Sequence, residues 1–251
     1  MLFCNPDSSI WFPTVRYSPS TRLRLFCFPY AGGGISVFRT WEKYFPESVE
    51  VCPIQLPGRS ARFFESPIVQ FSSLIKAIVK KIRPFLDKPF AFFGHSLGGL
   101  IAYEISHQLR SNYSIEPTHL IISGCASPCC KTKRKVLSNL PDQELISELR
   151  KLNGTPDELL DSEEFMALSL PSLRADFALY ESYQYSSRVP LECPLTVFGG
   201  MEDREVDWRQ LELWKNETEG MFSLYQLPGD HFFLHKEEIT VLRFILRNLG
   251  I

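Results

Sequence analysis

The hexapeptide Gly94-His95-Ser96-Leu97-Gly98-Gly99 follows an apolar run at 89–93 and precedes a helix-like run at 100–109. A Gly-x-Ser-x-Gly pattern between a strand and a helix describes a sharp turn that lifts a serine hydroxyl above the end of a sheet. The two glycines are needed because the serine sits in a strained backbone conformation, and a Cβ on either side would meet the strand or the helix. The five-residue pattern alone recurs by chance. The strand before it and the helix after it make it specific, because they commit the chain to a strand that feeds directly into a helix.

The rest of the chain repeats that order. Short apolar runs at 23–28, 49–56, 90–94, 119–124, 195–199 and 222–227 read as strands, and amphipathic runs at 37–45, 71–86, 97–110, 208–217 and 237–249 read as helices. Such alternation predicts an α/β fold, a mostly parallel sheet flanked by helices on both faces. The strands are near-continuous hydrophobic runs, as buried parallel strands are. Between 127 and 190 the rhythm breaks, with helical patterns such as Asp142–Leu152 and 173–185 and no strand. An insertion at that point lies over the mouth of the sheet and reads as a lid; the plainer alternative is a decorative loop. The 251 residues are expected to form one domain, 1–251, with the lid at about 127–190.

Composition narrows the functional classes. A hydrophobic content of 44% with 22% charged residues is ordinary for a globular protein, and a net charge of −2 gives no footing for nucleic acid. No apolar run approaches the roughly 20 residues of a membrane helix. Residues 1–13 have no basic stretch followed by a long apolar one, so they do not read as a secretory signal. Seven cysteines at irregular spacings, among them Cys27 and Cys52 inside strand-like runs, suggest reduced thiols in a cytoplasmic protein. Cys125, Cys129 and Cys130 cluster without a second Cys or His pair, so a metal site is set aside.

A serine becomes a nucleophile when a base takes its proton, and the base needs an acid to fix its tautomer. In a sheet with this kind of turn the partners follow in the chain order Ser, acid, His, each after a strand. Of His95, His107, His119, His231 and His235, only His231 lies in a Gly-containing turn between the last strand and the last helix. His235, one helical turn on, is the runner-up. Asp203 follows the strand at 195–199 through a Gly-Gly turn and is the expected acid, with Glu202 and Asp207 as near rivals and Asp230 too close to His231 in sequence. Its plainer reading is a turn residue or helix cap. Two backbone N–H groups are needed for a tetrahedral oxyanion. Leu97, after the serine, supplies one, and Ala31 in the run Phe28-Pro29-Tyr30-Ala31-Gly32-Gly33-Gly34 is assigned the other. A phosphate-binding loop is excluded there, because neither Gly-Lys-Ser/Thr nor Gly-x-Gly-x-x-Gly spacing is present.

Taken together these blocks resemble the type II thioesterases that accompany nonribosomal peptide and polyketide synthases, members of the α/β-hydrolase superfamily. The oxyanion loop just quoted, Gln55-Leu-Pro-Gly-Arg59 with Arg62, and Leu170-Pro-Ser-Leu-Arg-Ala-Asp176 with Glu181, Tyr183 and Tyr185 are similar to family segments in the same order. So are Phe198-Gly-Gly with Asp203, and Gly229-Asp-His-Phe-Phe-Leu234. The resemblance spans nearly the whole chain from Leu23 and places the triad on Ser96, Asp203 and His231. Two departures stand out: Tyr30, where many relatives have histidine, and Cys125 in Ser123-Gly-Cys125, where an arginine is typical.

The resemblance implies hydrolysis of acyl groups held as thioesters on the 4'-phosphopantetheine arm of an acyl or peptidyl carrier protein, freeing misprimed carriers. It implies no metal or redox cofactor, no nucleic acid, no membrane, a cytoplasmic location and a monomer. Lys131, Lys133, Arg134 and Lys135 could meet an acidic carrier helix, or form a solvated edge; Arg59 and Arg62 could meet the pantetheine phosphate, or be solvated. Three alternatives stay open: a carboxylesterase, a fatty acyl carrier-protein thioesterase with a deep apolar tunnel, and a non-catalytic relative.

Overall fold

In the computed structural model the described residues are 10–130 and 136–251. Six strands, β1 (Leu23–Phe28), β2 (Val49–Pro53), β3 (Phe90–His95), β4 (His119–Ser123), β5 (Leu195–Gly200) and β6 (Phe222–Leu227), pair in the order β2-β1-β3-β4-β5-β6. Every pairing is parallel. The alternation of side chains along each strand splits the core in two. Phe26, Phe28, Phe92, Leu120, Ile122 and Val197 face one layer, and Leu25, Cys27, Ala91, Phe93, Ile121 and Phe198 face the other. Both faces of the central strands β3, β4 and β5 are covered, and every residue of those strands is buried, whereas the edge strand β6 is mostly half-buried.

Helices α1 (Phe71–Ile82) and α2 (Leu97–Tyr113) cover the first layer. The second is closed by α8 (Glu238–Asn248), which buries Val241, Leu242 and Ile245 at a three-and-four spacing. Removing three such side chains from water contributes roughly 1.5–3 kcal/mol each. The remaining helices are α3 (Asp142–Leu152), α4 (Asp157–Leu160) and α5 (Glu163–Ser182) between β4 and β5, then α6 (Trp208–Glu212) and α7 (Phe233–Lys236). The helices α3 to α5 form the insertion, with a small apolar cluster of their own from Leu145, Leu149, Leu160, Met166, Leu170 and Leu173. Among the described residues no helix is long and apolar enough to cross a membrane.

Four expected helices take other forms, and of these 208–217 is α-helical only over Trp208–Glu212 before a 3₁₀ turn at Leu213–Glu217. The run 37–45 forms two 3₁₀ turns, Ile35–Phe38 and Trp41–Tyr44, because Phe38 and Trp41, three apart, stack edge-to-face with centroids 4.9 Å apart. At 71–86, the α-helix stops at Ile82 and a 3₁₀ turn holding Pro84 follows. The pattern expected at 173–185 belongs to a longer helix, α5, which starts at the Ser162 cap and runs through Pro171. Pro171 has no N–H to offer the Ala167 carbonyl, and burial of Met166, Leu170 and Leu173 on either side outweighs that loss.

Candidate active site

The three expected side chains come from the C-terminal ends of three strands. Ser96 follows β3 and stands at φ 53° and ψ −118°, a conformation costly for any residue with a Cβ. Its own N–H donates to the Ser123 carbonyl at 2.8 Å. The flanking glycines are needed for close approach: a Cβ on Gly94 would stand 2.1 Å from the Gly98 carbonyl oxygen, and one on Gly98 would stand 2.0 Å from that of Phe28. The turn therefore presses the first turn of α2 against both β3 and the end of β1.

His231 lies in the turn after β6 and Asp203 in the turn after β5, and the sheet brings both to Ser96. His231 Nδ1 meets Asp203 Oδ2 at 2.8 Å, and His231 Nε2 meets Ser96 Oγ at 3.0 Å. The other carboxylate oxygen of Asp203 accepts the Glu205 N–H at 2.8 Å and the Val206 N–H at 3.1 Å. An acceptor-only carboxylate held this way fixes the imidazole with its proton on Nδ1, which leaves Nε2 to accept the Ser96 hydroxyl proton. The Asp203 side chain is 1% exposed and that of His231 10%. Water therefore does little to screen the pair.

The rival residues are engaged elsewhere. Asp207 caps the N-terminus of α6, Asp230 accepts the Phe232 N–H and the Asn153 side-chain amide, and Glu202 is exposed. His235 pairs with the Tyr30 hydroxyl at 2.8 Å, and burial pushes the Tyr30 hydroxyl up to about 12. His95 is fully buried behind the site and bonded to Ser123 Oγ. Burial, with the nearby His231, holds its pKa well below the ordinary 6.5, so it carries no charge beside the base.

Ala31 and Leu97 line the same cavity as Ser96 and His231. A hydrogen bond from the Gly33 N–H to the Tyr30 carbonyl closes a turn with Ala31 in second place, and Leu97 opens α2, where amide N–H groups lack helical acceptors. Among the described residues neither amide meets an acceptor in the protein. The cavity holds about 850 Å³, and the insertion walls it with Leu149, Leu152, Leu159, Met166, Leu173 and Phe177. Cys125 is part of its floor.

Neither loop arginine is available to a phosphate. Arg59 is buried in a two-pronged pair with Asp176, at 2.6 and 2.7 Å. Arg62 donates to Glu65 and to the Gln55 carbonyl and stacks on Trp11. The basic residues Lys131, Lys133, Arg134 and Lys135 lie outside the described residues. Asp176 was legible as part of a lid helix, but its contacts were not. The available signal was one carboxylate in the apolar series Leu173, Phe177, Tyr180, all three of which line the cavity.

The model of the thioesterase domain family matches residues 23–249. The gramicidin S biosynthesis protein GrsT of Aneurinibacillus migulanus is 42% identical over 239 residues, covering 95% of this chain and 93% of its own length. The medium-chain S-acyl fatty acid synthase thioesterase of Homo sapiens is 35% identical, covering 86% and 83%. Among solved structures, RedJ, a thioesterase from the prodiginine biosynthetic pathway in Streptomyces coelicolor, superposes with a TM-score of 0.85 at 35% identity, covering 94% of this chain and 97% of that one.

Proposed function

This chain belongs to the thioesterase family and has its α/β-hydrolase fold, and on that premise we propose that it clears acyl groups from the 4'-phosphopantetheine arm of carrier proteins serving a nonribosomal peptide or polyketide synthase. The observation that carries this reading is the unbroken hydrogen-bond line from Asp203 through His231 to Ser96, at the base of an apolar-walled cavity.

In the proposed reaction the Ser96 oxygen attacks the thioester carbonyl while His231 Nε2 takes the hydroxyl proton. The carbonyl oxygen, now negative, accepts from the Ala31 and Leu97 N–H groups; losing one such donor costs on the order of 3 kcal/mol of transition-state stabilisation. The C–S bond breaks, and the imidazolium proton goes to the departing sulfur. Water then attacks the acyl-serine with His231 again as base, the acid leaves, and the proton returns to Ser96. Asp203 stabilises the imidazolium in both halves. The protons and the acyl group balance without a metal or redox cofactor. The enzyme is proposed to act as a cytoplasmic monomer.

The test is intact-mass analysis of carrier proteins loaded with acetyl, aminoacyl or long-chain acyl groups, before and after exposure to the enzyme. Loss of short or aberrant loads is the expected result. Preference for long chains would instead assign fatty acyl release; the human relative carries the name of a medium-chain S-acyl fatty acid synthase thioesterase. Cleavage of p-nitrophenyl esters with every carrier left intact would assign a carboxylesterase.

A further inference from the structure

The insertion reaches into the turn that carries Ala31. That turn is closed by the Gly33 N–H donating to the Tyr30 carbonyl at 2.9 Å, and Gly32, in third place, has φ +78°, as a type II turn requires. In such a turn the second and third N–H groups have no partner within the turn. The third, on Gly32, donates to Asp176 Oδ2 at 2.7 Å. The second, on Ala31, meets no acceptor among the described residues, and Ala31 lines the cavity that holds Ser96.

Asp176 is 1% exposed and lies on α5, 144 residues from Gly32. Its two oxygens also take Arg59 Nη1 and Nη2, and Arg59 Nη1 donates a second time to the Gly33 carbonyl at 2.9 Å. One ion pair thus grips a donor and an acceptor on successive glycines just after Ala31. One helical turn earlier, Leu173 packs so tightly on Gly32 that a Cβ there would lie 2.5 Å from Leu173 Cδ2. A buried ion pair is on its own weak support for stability. A pair aimed at the backbone beside a needed amide has a further use.

We infer that Asp176, backed by Arg59, is a positioning residue for the oxyanion site, so that seating the lid helix and orienting the Ala31 N–H are a single event. Fixing the Gly32 N–H fixes the Ala31–Gly32 peptide plane; β1 anchors the other side, and the Ala31 N–H is held between them. The inference deepens the acyl-transfer reading above and rests on it. The rival is a lid anchor that holds substrate and does nothing for the oxyanion.

The experiment uses Asp176→Asn, Asp176→Ala and Arg59→Lys in the full chain, each checked for a cooperative melt. Steady-state kinetics are paired with binding of a trifluoromethyl ketone, which Ser96 converts to a hemiketal oxyanion, and of the methyl ketone of equal length, which stays a ketone. The positioning role predicts that kcat falls about 100-fold in Asp176→Ala and less in Asp176→Asn, with KM within about twofold. The fluorinated ketone should weaken by the same factor as kcat and the plain ketone should not. A raised KM with kcat kept, equal weakening of both ketones, or loss of a cooperative melt in all three variants would overturn the proposal. The same series run on a p-nitrophenyl ester uses the same oxyanion step. A null result on carrier thioesters alone would therefore count against the carrier reading and leave the Asp176 result readable.

Discussion

Among the described residues the Ser96 hydroxyl pairs with His231 Nε2 at 3.0 Å, and His231 Nδ1 pairs with the Asp203 carboxylate at 2.8 Å. Ser96→Ala should therefore abolish release of free acid from acyl thioesters with the melting temperature kept. Residual turnover near the starting rate would move the nucleophile elsewhere. Asp203→Asn keeps the shape but offers an amide N–H where the imidazole needs an acceptor, so kcat should drop by roughly 10⁴, read in steady-state hydrolysis. Their convergence was legible because the Gly94-His95-Ser96-Leu97-Gly98 turn singles out one serine, only five histidines compete for the base, and the chain order of the fold narrows the acid and the base to the turns after the last two strands. Asp176 was not legible in its role, because its partners Gly32 and Arg59 are 144 and 117 residues away and no local pattern reports such a contact. The arginines were misleading for a related reason. A loop arginine read alone looks solvated; the fold brings Arg59 to Asp176, 117 residues on, while Arg62 pairs with Glu65 three residues away.

The elbow works as a unit of strand, turn and helix. Gly98→Ala leaves Ser96, His231 and Asp203 in place chemically, yet its Cβ would need to stand where the Phe28 carbonyl is. The obstructing atoms are backbone of Phe28 and Pro29 and not a flexible side chain, so the helix start or the end of β1 must shift, at a cost of about 3 kcal/mol. The melting temperature should fall by roughly 10 °C, and turnover should fall with it because the Leu97 N–H moves. An unchanged melt would mean that the contact is looser than it stands here. The strands were easy to read because burial on both faces makes them continuous apolar runs. The 3₁₀ turns at Ile35–Phe38 and Trp41–Tyr44 were not, since the three-residue stacking that selects them mimics part of a helical stripe. Pro171 inside α5 is the opposite case: tertiary burial carries a helix through a residue that locally opposes it.

Across the whole molecule, buried histidines set the acid limit. Burial lowers His107 from 6.5 to about 3 and His119 to about 4, while His95 is held well below the ordinary range. Unfolding returns each to about 6.5, so between those values the unfolded chain binds more protons than the folded one. Stability is therefore fully present above about pH 6.5 and is lost as pH falls toward 4, each histidine contributing up to ~1.4 kcal/mol per pH unit. Urea midpoints from pH 7 to pH 5 should fall steadily, and His119→Gln should make that slope shallower by about one proton; an unchanged slope would count against burial as the cause.

The sheet order also has a temporal side. Ser96 and His231 are 135 residues apart in the chain, and the turns bearing Asp203 and His231 follow β5 and β6, the last two strands to be added at one edge of the sheet. The elbow after β3 and the insertion over it precede in the chain both of the proposed partners of Ser96. In the proposed mechanism Ser96 gains its base only when that far edge docks.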